Sequence, residues 1–179
     1  MDDNWIVENL ENALAATCLA MCRGIAAETV AYTLKTFPGV EHRIEFVKTV
    51  NGVDFINDSK GTNPDSTIKA IETMKKPTIL ILGGYDKHSE FDDMFAHFTE
   101  QIKGIVILGA TKQKILTAAK KAGVANIQLA DTFEQAVKMA FLAAPEGGTV
   151  LLSPACASWD MFDNFEQRGE IFKEIVNAL

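Results

Sequence analysis

A chain of 179 residues, 47% hydrophobic and 23% charged, has room for one good-sized domain or one domain and a fragment, with a continuous core. Its formal net charge of −7 argues against a duplex nucleic-acid binder, which needs a basic face, and the pairs Lys75-Lys76 and Lys120-Lys121 read as solvated surface. No apolar run approaches the ~20 residues of a membrane span, and the acidic start Met1-Asp2-Asp3-Asn4 is unlike a signal peptide, so the expected location is the cytoplasm.

In chain order, Leu10, Ala13, Leu14, Thr17, Cys18 and Met21 recur at helical spacing, and Gly24 ends that helix. A second short helix is predicted over Ala27–Thr36, closed by Pro38-Gly39. Two small helices make a poor core, so residues 1–40 are expected to be the tail of a preceding domain. Cys18 and Cys22 stand four apart, but no nearby histidine or further cysteine completes a tetrahedral metal site. They read as reduced thiols, and no metal site is expected.

From Arg43 the pattern changes. Ile44–Val50 and Val53–Asn57 flank Asn51-Gly52, a strong hairpin signal. Apolar strand runs follow at Thr78–Leu82, Gly104–Leu108, Asn126–Leu129 and Thr149–Leu152. Helical stretches alternate with them near Asp65–Met74, Asp92–Gln101, Lys112–Ala122, Thr132–Leu142 and Phe162–Ala178. Continuous apolar strands separated by helices imply a parallel sheet covered on both faces. The fold class is therefore α/β, a doubly wound, mostly parallel sheet of about six strands with an N-terminal hairpin, Rossmann-like in plan.

Such sheets place function in the loops beyond the strand carboxyl ends. The loop Asn57-Asp58-Ser59-Lys60-Gly61-Thr62-Asn63-Pro64 packs acid, base and hydroxyl around a helix start, which suits a phosphorylated or carboxylated ligand or else an N-cap beside an incidental ion pair. Gly83-Gly84-Tyr85-Asp86-Lys87 allows close backbone approach beside a cation, but has neither GxGxxG nor P-loop spacing, and no GxxxxGK[ST] occurs in the chain. Ser153-Pro154-Ala155-Cys156-Ala157-Ser158 lacks a nucleophile elbow, and His42, His88 and His97 announce no triad, so the loop reads as an anion holder. The Gly109-Ala110-Thr111 and Ala130-Asp131-Thr132 loops look like plain turns and caps. The residues alone point to an anionic small-molecule site without naming a reaction.

These loops and the helix before them resemble the Mur ligases over essentially the whole chain. Glu8-Asn9-Leu10-Glu11-Asn12-Ala13-Leu14-Ala15-Ala16 is similar to the family's HNxxNALAA helix, with Glu8 where the family has histidine. Phe37-Pro38-Gly39-Val40-Glu41-His42-Arg43-Ile44-Glu45 resembles its GxxHRxE segment, and residues 57–64 resemble its NDSKATNP loop, with Gly61 where alanine is common. Leu82–Lys87, followed by His88 where glycine is common, and Leu152–Asp160, continuing to Phe165-Glu166-Gln167-Arg168-Gly169, resemble the members that add D-glutamate.

The resemblance implies that residues 1–40 are the helical tail of a central ATPase domain and residues 41–179 the C-terminal domain, with the P-loop and magnesium ligands outside this chain. It implies ATP and Mg²⁺ as cofactors, and D-glutamate, UDP-N-acetylmuramoyl-L-alanine and the upstream domains as partners. By that likeness Asn9 and Asn12 would meet adenine, Arg43 and Asp58 the ribose and phosphates, and Lys60 the reacting phosphate region. Thr62 and Lys87 would grip the side-chain carboxylate of D-glutamate, and Ser158 and the backbone at Phe165 its α-carboxylate. Two other readings stay open: a freestanding α/β ligand-binding module, and a related amide ligase such as folylpolyglutamate synthase.

Overall fold

The computed structural model describes residues 10–179, so Asn9 and the segment before it lie outside the described residues. The chain divides between Val40 and Glu41 into two compact units. The first contains helix α1 (Leu10–Cys22) and helix α2 (Ala27–Thr36). Gly24, at φ 81°, follows α1 in the left-handed conformation that suits a helix end.

The second unit is a six-stranded sheet of β1 (Glu45–Val50), β2 (Val53–Asn57), β3 (Thr78–Gly83), β4 (Ile102–Leu108), β5 (Ile127–Leu129) and β6 (Thr149–Leu152). Between the strands run α3 (Pro64–Thr73), α4 (Asp92–Ala96), α5 (Lys112–Lys121) and α6 (Phe133–Ala143), and α7 (Phe165–Ala178) follows β6. The spatial order is β1-β2-β6-β3-β4-β5. Only β1 runs antiparallel, paired with β2 through the turn at Asn51 (φ 47°) and Gly52 (φ 81°), both left-handed as a tight hairpin requires.

Strand alternation gives the sheet two apolar faces. Ile79, Ile81, Val106, Val150 and Leu152 join Phe55, Val137, Phe172 and Val176 in one core. Leu80, Leu82, Ile105, Ile107 and Leu151 join Ile68, Ile71, Met94, Phe95 and Ile115 in the other. With both faces covered, nearly every residue of β3 and β6 is buried, which explains why these strands read as unbroken apolar runs.

Helix boundaries differ from the sequence expectation by more than one residue in two places. The helix expected over Asp92–Gln101 stops at Ala96, where the His97 amide donates to the Met94 carbonyl and the Phe98 amide to the Phe95 carbonyl in a tightened last turn. The last helix starts at Phe165 rather than Phe162, because Asn164 caps it: its Oδ1 accepts from the Gln167 amide at 2.7 Å. Gln167 Oε1 accepts in return from the Asp163 amide at 2.7 Å.

The arrangement positions the three loaded loops. Strand β6 lies between β2 and β3 and parallel to both, so their carboxyl ends are neighbours at one sheet edge. The loops after β2, β6 and β3 therefore open side by side, where a doubly wound sheet binds ligands.

Candidate functional site

The loop after β2 is anchored from beneath. Asn57 is fully buried; its Oδ1 accepts from the Ser59 amide at 3.1 Å, which fixes the amide orientation. Its Nδ2 donates to Glu45 Oε2 and to His42 Nδ1, both at 3.0 Å, leaving the His42 ring proton on Nε2. His42 fits because residue 169 is glycine: a Cβ there would overlap the imidazole. The Lys60 amide donates to the His42 carbonyl at 3.0 Å, so the loop and the segment before β1 are laced together.

That segment is strained. His42 (φ 62°) and Ile44 (φ 47°) both adopt left-handed backbone, which a β-branched residue resists. The Ile44 amide donates to Asp58 Oδ1 at 3.3 Å, and the His42 amide to Glu45 Oε2 at 2.9 Å. Between them Arg43 is turned out and exposed.

Asp58 is buried, and its Oδ2 accepts from Ser153 Oγ at 2.6 Å; Ser153 Oγ also lies 2.9 Å from Thr67 Oγ1, whose proton goes to the Ser153 carbonyl. This joins the loop after β2, the loop after β6 and helix α3. Gly61 leaves room for it, since a Cβ there would stand 2.5 Å from Asp58 Oδ2 and 2.7 Å from Ser153 Oγ.

Arg168 makes the second cross-link. The side chain is 1% exposed, its Nε donates to Ser59 Oγ at 2.9 Å, and its two terminal nitrogens to the Ser59 carbonyl at 2.8 Å and the Cys156 carbonyl at 3.1 Å. Ser59 Oγ passes its own proton to the Phe165 carbonyl at 2.7 Å. One planar fork thus holds the loops after β2 and β6 to α7. Burial pulls the Arg168 guanidinium down to about 10, against the charges of Cys156, Asp160 and Asp58, so it stays charged at neutral pH. Burial pushes the Cys156 thiol up to about 11, which makes it an inert packing group rather than a nucleophile.

The loop after β3 leans on the loop after β6. Tyr85 and Ala157 exchange backbone hydrogen bonds of 2.8 and 3.1 Å. Gly84, at φ 141°, is needed there, because a Cβ would overlap the Ala157 carbonyl. Thr111 ties the same loop to the one after β4, its Oγ1 donating to the Gly84 carbonyl at 2.6 Å, and Asp160 Oδ2 accepts from the Ala110 amide at 2.9 Å. The Gly109-Ala110-Thr111 segment, expected to be a plain turn, is a brace for both neighbours. Asp86 is engaged by Lys114 at 3.0 Å and by the Ser89 amide at 2.8 Å. Burial pushes its carboxyl toward the protonated form, but those partners win and hold it below the usual carboxylate range.

Of the residues singled out from sequence, the exposed Lys60 points its ammonium at the Phe165 ring, 5.8 Å from the centroid. The half-buried Thr62 donates its amide to the Lys60 carbonyl at 2.8 Å. Lys87 is exposed with its ammonium 4.5 Å from the Trp159 ring centroid, and Ser158, next to that ring in sequence, is buried. Asp58 is buried under the loop rather than presented on its surface. Asn12 lies in α1, in the first compact unit, and Asn9 lies outside the described residues. The sequence reading missed Arg168, Ser59, Ser153 and Thr67 as the bracing set. A buried arginine has no periodic signature, and only its place in the Phe165–Gly169 motif marked it.

Residues 42–156 match the Mur ligase, glutamate ligase domain family. The chain belongs to the Mur ligase family. Among relatives of this Mur ligase chain, the UDP-N-acetylmuramoylalanine–D-glutamate ligase of Thermoanaerobacter sp. (strain X514) is 57% identical over 173 residues, covering 96% of the chain. The chain spans 38% of that relative's length. Its fold is similar to UDP-N-acetylmuramate–alanine ligase MurC of Thermotoga maritima, with a TM-score of 0.71 at 17% identity, over 95% of this chain and 38% of that one. It is also similar to the MurF ligase of Thermotoga maritima, solved with ADP, with a TM-score of 0.62 at 17% identity over 94% and 38%. Among the described residues of the Mur ligase chain no helix is long and apolar enough to cross a membrane.

Proposed function

We propose that this chain is the amino-acid-binding part of an ATP-dependent ligase that joins D-glutamate to UDP-N-acetylmuramoyl-L-alanine in peptidoglycan synthesis. The observation that carries the reading is the convergence of the Lys60–Thr62, Lys87 and Ser158 loops at the ends of adjacent strands β2, β3 and β6, in a chain 57% identical to a ligase so named. In this reading residues 1–40 close the central ATPase domain, residues 41–179 form the C-terminal domain, and the enzyme works in the cytoplasm.

The residues divide the labour by chemistry. Thr62 and the Lys87 ammonium hold the side-chain carboxylate of D-glutamate, while Ser158 and the backbone at Phe165 hold its α-carboxylate. Gripping a dicarboxylate at both ends leaves the amine free and aimed. Arg43 faces the nucleotide's ribose and phosphates, with the buried Asp58 bracing the loop beneath them, Asn9 and Asn12 meet its adenine, and Lys60 supplies positive charge where phosphate leaves. ATP supplies the phosphoryl group that activates the carboxylate of UDP-N-acetylmuramoyl-L-alanine; the amine then forms the C–N bond as the C–O bond to phosphate breaks.

Among the described residues, the one cluster with metal-ligand composition is Glu41, His42 and Glu170. It does not fit a divalent ion: the Lys173 ammonium sits in it, 2.6 Å from Glu41 and 2.8 Å from Glu170. The Mg²⁺ of the proposed reaction is therefore assigned no ligand among the described residues.

The test is a two-dimensional NMR titration of the labelled chain with D-glutamate and, separately, L-glutamate. The expected result is shifts at Thr62, Lys87, Ser158 and Phe165, larger for the D-isomer. Equal responses to both isomers, or shifts elsewhere only, would overturn the assignment. The chain alone, lacking GxxxxGK[ST], is expected to release no ADP from ATP with the full substrate set.

A further inference from the structure

We infer that Trp159 is a positioning residue: its indole face seats the Lys87 ammonium at the mouth of the site and so sets the affinity for the acceptor's side-chain carboxylate. The inference rests on the assignment of Lys87 to that carboxylate. Its own basis is the geometry of the loops after β3 and β6.

The Lys87 Nζ lies 4.5 Å from the Trp159 ring centroid, well inside the range in which an ammonium is held by an aromatic face. Its carboxylate neighbour in sequence is already engaged, since Asp86 bonds to Lys114 at 3.0 Å. Among the described residues Lys87 forms no salt bridge, so the ring is what localises this cation. An aromatic seat differs from a carboxylate partner in one useful respect. It attracts the ammonium without neutralising it and without occupying its N–H donors, so the charge stays available to an incoming carboxylate.

The seat is itself built in. Trp159 is 60% exposed and Tyr85 45% exposed, an unusual investment of aromatic surface at a sheet edge. The two rings pack with centroids 5.8 Å apart. Tyr85 stands on the Tyr85–Ala157 bridge that joins the two loops, Trp159 follows Ala157 by two residues, and Asp160, the next residue, is tied to the Ala110 amide. A lysine side chain left in water samples many rotamers and loses them on binding; the indole removes part of that cost beforehand.

The test has two readouts on the chain in a Trp5→Phe background, which leaves Trp159 as the remaining tryptophan of two. In ¹³C-lysine-labelled protein the Lys87 ε-protons are expected upfield through the ring current, returning to ordinary lysine positions in Trp159→Ala and staying upfield in Trp159→Phe. In the D-glutamate titration, Trp159→Ala is expected to weaken binding roughly three-fold with the Thr62 and Ser158 response pattern unchanged, and Trp159→Phe to restore most of it. Ordinary Lys87 shifts in the parent, or equal D-glutamate affinity in parent and Trp159→Ala, would overturn the positioning role. An upfield Lys87 with no response of Thr62 or Ser158 to D-glutamate would instead overturn the acceptor-site assignment, and the positioning role with it.

Discussion

Arg168 carries more of the site's shape than any residue that sequence reasoning nominated. Its guanidinium satisfies two buried carbonyls and one hydroxyl, on Ser59 and Cys156, that have no water to fall back on. Arg168→Ala is expected to cost about 3 kcal/mol, because it strands those acceptors as well as opening space. Urea unfolding at neutral pH measures this, and a loss under ~1 kcal/mol would mean the fork is dispensable. Cys156 gives a second, pH-dependent expectation. Its thiol moves from 9.0 to about 11 on folding, so the folded chain holds the proton more tightly. Its contribution is fully present below pH 9 and is lost as pH rises from 9 toward 11. Arg168 acts in the opposite sense only above about 10, so the clean window is pH 8 to 10. Across it the parent is expected to lose roughly 1 kcal/mol more stability than Cys156→Ala. Parallel stability curves would show that the thiol titrates alike in both states.

At the scale of elements, caps decide where chemistry begins. Asn63 Oδ1 accepts from the Ser66 amide at 2.9 Å and Pro64 opens α3, so the helix starts just beyond Thr62. Asn63→Ala is expected to cost about 1 kcal/mol by the same unfolding assay, with amide shifts centred on residues 60–67. This boundary was legible to within a residue, since Asn-Pro before an amphipathic run is local chemistry. The hairpin was legible for the same reason. The early end of α4 was not, because Phe95 and Phe98 keep a helical look while packing against each other at 4.9 Å in a turn. The reversed backbone at His42 and Ile44 was also illegible. It is imposed by partners fourteen and eighteen positions away, Asp58 and Lys60, which no local pattern encodes.

For the molecule as a whole, alternation of apolar runs and helices specified the sheet class, and the named loops fell at its carboxyl edge. Strand order was not legible: nothing in Thr149–Leu152 says that it enters between β2 and β3. Both apolar cores draw entirely on residues from Ile44 onward. A chain of residues 41–179 is therefore expected to fold alone, with the same amide spectrum for the sheet and a melting temperature within ~2 °C of the parent. A collapsed spectrum would mean that the first unit is required. That first unit leaves Leu14, Leu19, Met21 and Tyr32 more than half exposed, so its removal is also expected to raise solubility.

The late entry of β6 has a consequence for synthesis. As the chain leaves the ribosome, β2 emerges about ninety residues and β3 about sixty-five residues before the strand that separates them, and until residues 149–152 appear each has an open edge. Nascent chains are thus exposed to mispairing for most of the domain's production, and trigger-type chaperoning of those edges has its longest opportunity here. The Asp58–Ser153 and Ser59–Arg168 links then form last, so the binding edge is completed only when the sheet closes.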